Sequence, residues 1–231
     1  MKKGSDDSPN TSRNTSDPVR EYKVWELQQH ADRILASTFP SGFIIPIEIE
    51  NVAYSLGLDI NPVPGLSSAL QVLGALWRDH EGRYWIVVDE HLMDYGENRY
   101  RFTVAEEIGH FVLHREPLEK AVDIHGAVGL QRLLAGRYTY FEANARRLAA
   151  GLLMPREPLH PDVATAYAQV VKVVGFRNLG AVTRQVTDIL RRKYVVSYEA
   201  MQYRLKEHQF RAYAAMEEAF RTRSATLWES Q

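Results

Sequence analysis

Glu106, Glu107 and His110 are the residues of this chain whose types and spacing best suit chemistry. They lie in Arg101-Phe-Thr-Val-Ala-Glu106-Glu107-Ile-Gly-His110-Phe-Val-Leu-His114. Helical residues four apart sit about 40° apart round the axis and about 6 Å along it. Glu106 and His110 can therefore point at one metal ion. Glu107, one step round, can hydrogen-bond a metal-bound water instead of ligating. A metal that lowers the pKa of its water, beside a carboxylate that takes the proton, is the chemistry of a metal-activated hydrolase. The segment is one imidazole short of a His-Glu-x-x-His helix, because Glu106 stands in the first imidazole's place. A Glu-x-x-x-His pair alone is common and mostly marks a solvated helix face.

A second run strengthens the reading. Glu142 opens Glu142-Ala-Asn144-Ala-Arg146-Arg-Leu148-Ala-Ala-Gly-Leu152-Leu-Met154-Pro155. A helix lying across the first can deliver Glu142 as third ligand, with water in the fourth position. Two carboxylates and one imidazole bind zinc. They are harder than two imidazoles and one carboxylate, so manganese or ferrous iron also suit them. Without metal, two nearby carboxylates share a proton or draw in a cation. His114 lies one further turn along, but ligands at both ends of two four-residue steps are about 12 Å apart. It reads as a packing or hydrogen-bonding residue. His125 is a weaker candidate to approach the site. His30, His80, His91, His160 and His208 read as surface or structural histidines. Tyr138 or Tyr140 can donate to a developing oxyanion, although core packing accounts for either.

These residues need elements to hold them. Asp17-Pro18 can start a helix to Ala36, with Val24, Leu27, Ala31, Ile34 and Leu35 at helical spacing. Pro46 to Leu56 reads as a second helix, ended by Gly57. Leu58 to Pro62, Val72 to Trp77 and Tyr84 to Val88 read as strands, the last two joined by the turn residues Asp79-His80-Glu81-Gly82. The outer strand of that pair can border a cleft and hydrogen-bond an extended peptide. Asn98 to Arg115 reads as the motif helix with its approach; Thr103 can cap the helix, with Glu106 as capping-box partner, which is a structural alternative for Glu106. Glu116 to Gly136 reads as a helical excursion with loops. Tyr140 to Met154, Asp162 to Val174 and Leu179 to Tyr194 read as helices. Phe210 to Phe220 can close the core or mediate self-association.

Composition narrows the class. The chain has 231 residues, 45% hydrophobic, enough for one sizeable core or two modest ones. Its formal charge is −1, so no overall basic character points to nucleic acid. Without cysteine it has neither disulfides nor thiolate metal sites, which fits a reducing cytoplasm. No apolar run reaches membrane-spanning length and no basic-then-apolar leader opens the chain. Gly4 to Asp17 is rich in Ser, Asn, Asp, Thr and Pro and reads as a disordered lead-in.

The two site segments together resemble the ImmA/IrrE (DUF955-like) family of bacterial and phage metallopeptidase-like proteins. Members show Arg-Phe-Thr-x-Ala-His-Glu-Leu-Gly-His, then x-x-Leu-His. Further on they show Glu-x-x-Ala-Asn or Glu-x-Asn-x-Phe-Ala, and then Ala-x-x-Leu-Leu-Met-Pro. This chain matches at Arg101, Phe102, Thr103, Ala105, Glu107, Gly109, His110, Leu113 and His114, and again at Glu142, Ala149, Leu152, Leu153, Met154 and Pro155. The resemblance spans roughly residues 20 to 160. It implies an α+β fold: a minimal zincin-like domain with a small sheet, two crossed active-site helices and a helix-turn-helix-like tail. It implies His110 and Glu142 as metal ligands and Glu107 as general base, while the first histidine ligand falls on Glu106. It also implies a cytoplasmic protein that cleaves a helix-turn-helix repressor and so acts on stress-response or mobile-element genes. The expected organisation is a lead-in over 1–17, the metallopeptidase-like domain over 18–160 and a helical region over 161–231.

Three functions stay open at this point. The first is a metal-dependent endopeptidase. The second is a catalytically silent relative that binds a regulatory protein, which loss of the histidine favours. The third is a DNA-binding regulator built on Leu190 to Glu207. There Ser197 is a good N-cap, and Arg191, Arg192, Lys193, Arg204 and Lys206 make a basic unit. A packing module is the plainer reading of that unit.

Overall fold

The computed structural model describes residues 21–134, 138–208 and 210–228, without the side chains of Tyr95 and residues 121–134. The expected lead-in at 1–17 and the side chain of His125 lie outside the described residues.

The architecture is α+β. Helices α1 (Val24–Thr38) and α2 (Ile49–Ser55) lead into strand β1 (Asp59–Val63). A short α3 (Leu66–Leu70) precedes the hairpin of β2 (Gly74–Arg78) and β3 (Tyr84–Asp89). The sheet is mixed, in the order β1-β3-β2, with β1 parallel and β2 antiparallel to β3. β2 is therefore an edge strand. Just before it the Leu73 carbonyl accepts from the Asp89 amide, so Gly74, Leu76 and Arg78 turn their backbone groups off the sheet edge. Ile86 and Val88 point from β3 into the core, fully buried.

Asp89 fixes the exit from the sheet. Its carboxylate accepts from the Ser67 amide at 2.6 Å and, as N-cap of α4 (Glu90–Tyr95), from the His91 amide at 3.0 Å. Gly96 then separates α4 from α5, which runs unbroken from Glu97 to Leu134. This corrects two expectations. Residues 116–134 continue the motif helix instead of forming an excursion with loops. Thr103 is buried well inside the helix and caps nothing, so Glu106 is no capping-box partner.

Helix α6 (Tyr138–Leu153) crosses α5 closely enough that a Cβ on Gly109 would come 2.8 Å from the Ala145 carbonyl oxygen. Only a residue without a side chain permits that approach. α1 covers the other face of α6 with Leu27, Ala31 and Leu35. Pro155 then opens α7 (Arg156–Val174), followed by α8 (Leu179–Tyr194), α9 (Tyr198–Lys206) and α10 (Ala212–Arg221). Ser197 caps α9 by accepting from the Ala200 amide at 3.1 Å.

The buried apolar cluster is continuous from Leu27 to Leu227. Two buried arginines tie its parts together. Arg101 donates to the Ile47 carbonyl at 2.8 Å and to the Val195 carbonyl at 3.3 Å. Arg204 donates to the Met154 carbonyl at 3.0 and 3.1 Å, to Gln28 and to Glu207. No helix among the described residues is long and apolar enough to cross a membrane.

Candidate metal centre

The close crossing of α5 and α6 brings the site together. Glu106 and His110 lie one turn apart on α5, and Glu142 reaches them from the first turns of α6. One ligand atom from each of Glu106, His110 and Glu142 falls within 4.8 Å of the other two. His110 Nε2 is 3.9 Å from Glu142 Oε1. Burial, with Arg146 adding to it, holds the His110 imidazole down at about 4. Its ring is neutral at pH 7 and keeps a lone pair for coordination.

Glu107 faces the same space from one step round the helix. It accepts a hydrogen bond from the Leu76 backbone amide, one of the groups turned off the edge of β2. Gly74 allows the strand to lie this close, since a Cβ there would run into the Thr103 methyl. Burial, then the charges of Glu106 and Glu142, push the Glu107 carboxyl up to about 8. Glu106 is also raised, by burial first. Around these groups lies a cleft of about 740 Å³, walled by β2 on one side and by Tyr138, Phe141 and Arg146 of α6 on the other. A second hollow shares Tyr138, Glu142 and Arg146 and continues past them to Tyr203 of α9 and to Glu207, which follows that helix.

Arg146 is the residue that sequence reasoning missed. Its Nε donates to Glu106 Oε1 at 2.8 Å, and a terminal nitrogen donates to Glu142 Oε2 at 3.3 Å. The signal was available, because Arg146 follows Glu142 by four residues, the spacing of a helical ion pair.

The other candidates fall around this centre. His114 is buried one turn on, with its Nδ1 3.2 Å from that of His110 and its ring stacked on Phe141. Tyr138 lines the cleft and hydrogen-bonds Glu142, whereas Tyr140 is exposed and does not line it. His80 is on the surface, and His160 stacks on Trp228.

The tail unit has little free charge. Arg191 and Arg192 pair with Asp188, Lys193 pairs with Asp162, and Arg204 is buried. Lys206 lies over the Tyr213 ring.

The donor set fits a divalent cation. It holds two carboxylates and a neutral imidazole within reach of a single ion, and the carboxylates already attract a positive group, the Arg146 guanidinium. A helix carrying these groups beside an edge strand, crossed by a second helix that supplies the last carboxylate, defines a zincin-like metallopeptidase fold. Residues 70–206, more than half of the chain, match the family model of the IrrE N-terminal-like domain, peptidase family M78, and the chain belongs to this family. Comparison with curated proteins finds no match. Membership implies a divalent metal and a protein substrate.

Proposed function

We propose that this protein is a metal-dependent endopeptidase in which Glu106, His110 and Glu142 hold the cation and Glu107 is the general base. The observation that carries this reading is the convergence of three ligand atoms within 4.8 Å beside an edge strand that hydrogen-bonds Glu107. When bound, the cation supplies a Lewis acid that acidifies water and polarises a carbonyl; zinc suits the set, and so do manganese and ferrous iron. An extended polypeptide adds to β2 through the outward backbone groups of Gly74 and Arg78. Leu76 holds the Glu107 carboxylate toward the cleft. Glu107 takes the proton of the attacking water and returns it to the leaving amine. Burial is the larger cause of the raised Glu107 carboxyl; a divalent cation held by Glu106 and Glu142 would offset the part due to their charges, so that the base ionises at a lower pH. Tyr138, on the cleft wall, can donate to a developing oxyanion once its hydroxyl turns from Glu142. The substrate we favour is a cytoplasmic regulatory protein, in particular a helix-turn-helix repressor. Direct DNA binding by α8 and α9 is disfavoured, because Arg191, Arg192 and Lys193 pair with acidic side chains of the chain itself and Arg204 is buried.

The test is elemental analysis of protein purified without chelator or affinity nickel, for the wild type and for Glu142→Gln. About one metal per chain in the wild type, lost in the variant, is the expected result. No metal in the purified protein and none taken up on titration overturns the reading. The second reading, a silent relative that binds its regulatory partner, is favoured by Arg146, which fills the carboxylate pair with a cation of the protein's own.

A further inference from the structure

We propose that Arg146 is a built-in counter-cation that competes with the divalent metal for Glu106 and Glu142, so that metal binds only as the guanidinium swings out. The inference rests on the metal-site reading above. Both carboxylates are held in the cleft, with side chains 20% and 18% exposed, whereas the Arg146 side chain is 60% exposed. The guanidinium therefore has solvent to swing into, and the carboxylates have less.

The arrangement follows from the substitution in the motif. With an imidazole at position 106 the ligand set would hold one carboxylate, Glu142, beside two neutral rings. Glu106 places a second negative charge next to Glu142, and the cost of that pair in a half-buried site calls for a cation. Arg146 spans both, with Nε on one carboxylate and a terminal nitrogen on the other. Its planar fork suits two acceptors at once, which a lysine does not match. The same oxygens cannot saturate a guanidinium and coordinate a metal together. Arg146 lines both hollows, together with Tyr138 and Glu142.

The test is metal-free protein titrated with zinc against a competing chelator, and with manganese by spin resonance, for wild type, Arg146→Gln and Arg146→Lys. The expected result is affinity tighter in Arg146→Gln by on the order of tenfold, the value of releasing two partly exposed ion pairs. Arg146→Lys should fall between. In the absence of metal Arg146→Gln should melt below the wild type, and metal should raise its melting temperature more than that of the wild type. Equal or weaker affinity in Arg146→Gln overturns the proposal, making Arg146 an orienter of the ligands. If the wild type takes metal and the variant gains nothing, only this inference fails. If the variant alone takes metal, the inference holds and the wild-type metallopeptidase reading fails. If neither takes metal, both fail.

Discussion

His110 and His114 meet through their Nδ1 atoms, 3.2 Å apart in the buried seam between α5 and α6. One ring must donate and the other accept. Only a His110 that donates from Nδ1 leaves a lone pair on Nε2, the nitrogen that faces Glu142. His114 then carries its own proton on Nε2, which is buried without a hydrogen-bond partner among the described residues. An unpartnered buried N–H costs stability, and the benefit is the orientation of His110.

His114→Phe separates these two effects. The aromatic stack on Phe141 survives, the unpartnered N–H disappears and the acceptor for His110 is lost. Thermal stability should hold, since one unpartnered N–H on His114 is exchanged for another on His110, while metal affinity falls about tenfold or more. Calorimetric melting and a chelator-competition titration check the two halves. Loss of stability with affinity unchanged would mean that His114 only fills space.

Glu107→Gln tests the base and the burial of its charge together. Metal content should survive and peptide cleavage should stop. The Glu107 carboxyl is raised to about 8 by burial and by Glu106 and Glu142. A carboxyl raised on folding is stabilising while protonated, and that contribution fades as pH climbs from the ordinary 4.5 to about 8. In chelator-treated protein the variant should therefore gain on the wild type in melting temperature across that window. Parallel melting curves from pH 5 to 8.5 would mean that Glu107 ionises without penalty.

Much of this was legible in the chain because local signals agreed. The turn at 79–82, the Gly57 stop, Ser197 as a cap and the apolar spacing of α1 each mark an element that the fold contains. Glu106, His110 and Glu142 come together as helical spacing and one crossing require. What escaped depends on distant partners. Thr103 looked like a cap because nothing local shows that α5 starts at Glu97. Arg204 looked like surface charge, yet it is buried on the Met154 carbonyl, fifty residues away in sequence. Arg146 was hidden differently: its spacing from Glu142 was visible, but its stronger partner, Glu106, lies on another helix.

Gly109→Ala probes the crossing itself. The added methyl meets the Ala145 carbonyl oxygen at 2.8 Å and its Cα at 2.9 Å, both rigid backbone atoms. The helices must part by some tenths of an ångström, at a cost of about 1–3 kcal/mol. Because the ligands lie on both helices, metal affinity should drop along with stability. Denaturant melts and metal titration measure both, and a stable variant with intact affinity would show that the crossing is compliant.

Glu106→His asks whether the ligand change and the arginine form one unit. An imidazole at 106 supplies a softer donor, so affinity should rise most for zinc and less for manganese. It also removes the 2.8 Å partner of Arg146, leaving that guanidinium with Glu142 alone at 3.3 Å. Part of the gain from Glu106→His is thus the same release that Arg146→Gln provides. Combining the two substitutions should give less than the product of their separate gains, because residues in one ion-pair network do not act additively. A zinc titration of the wild type, both single variants and the double variant closes the cycle. Full multiplicativity would show that Arg146 does not restrain Glu106 at all, and that the weakness of the site lies in its ligand chemistry alone.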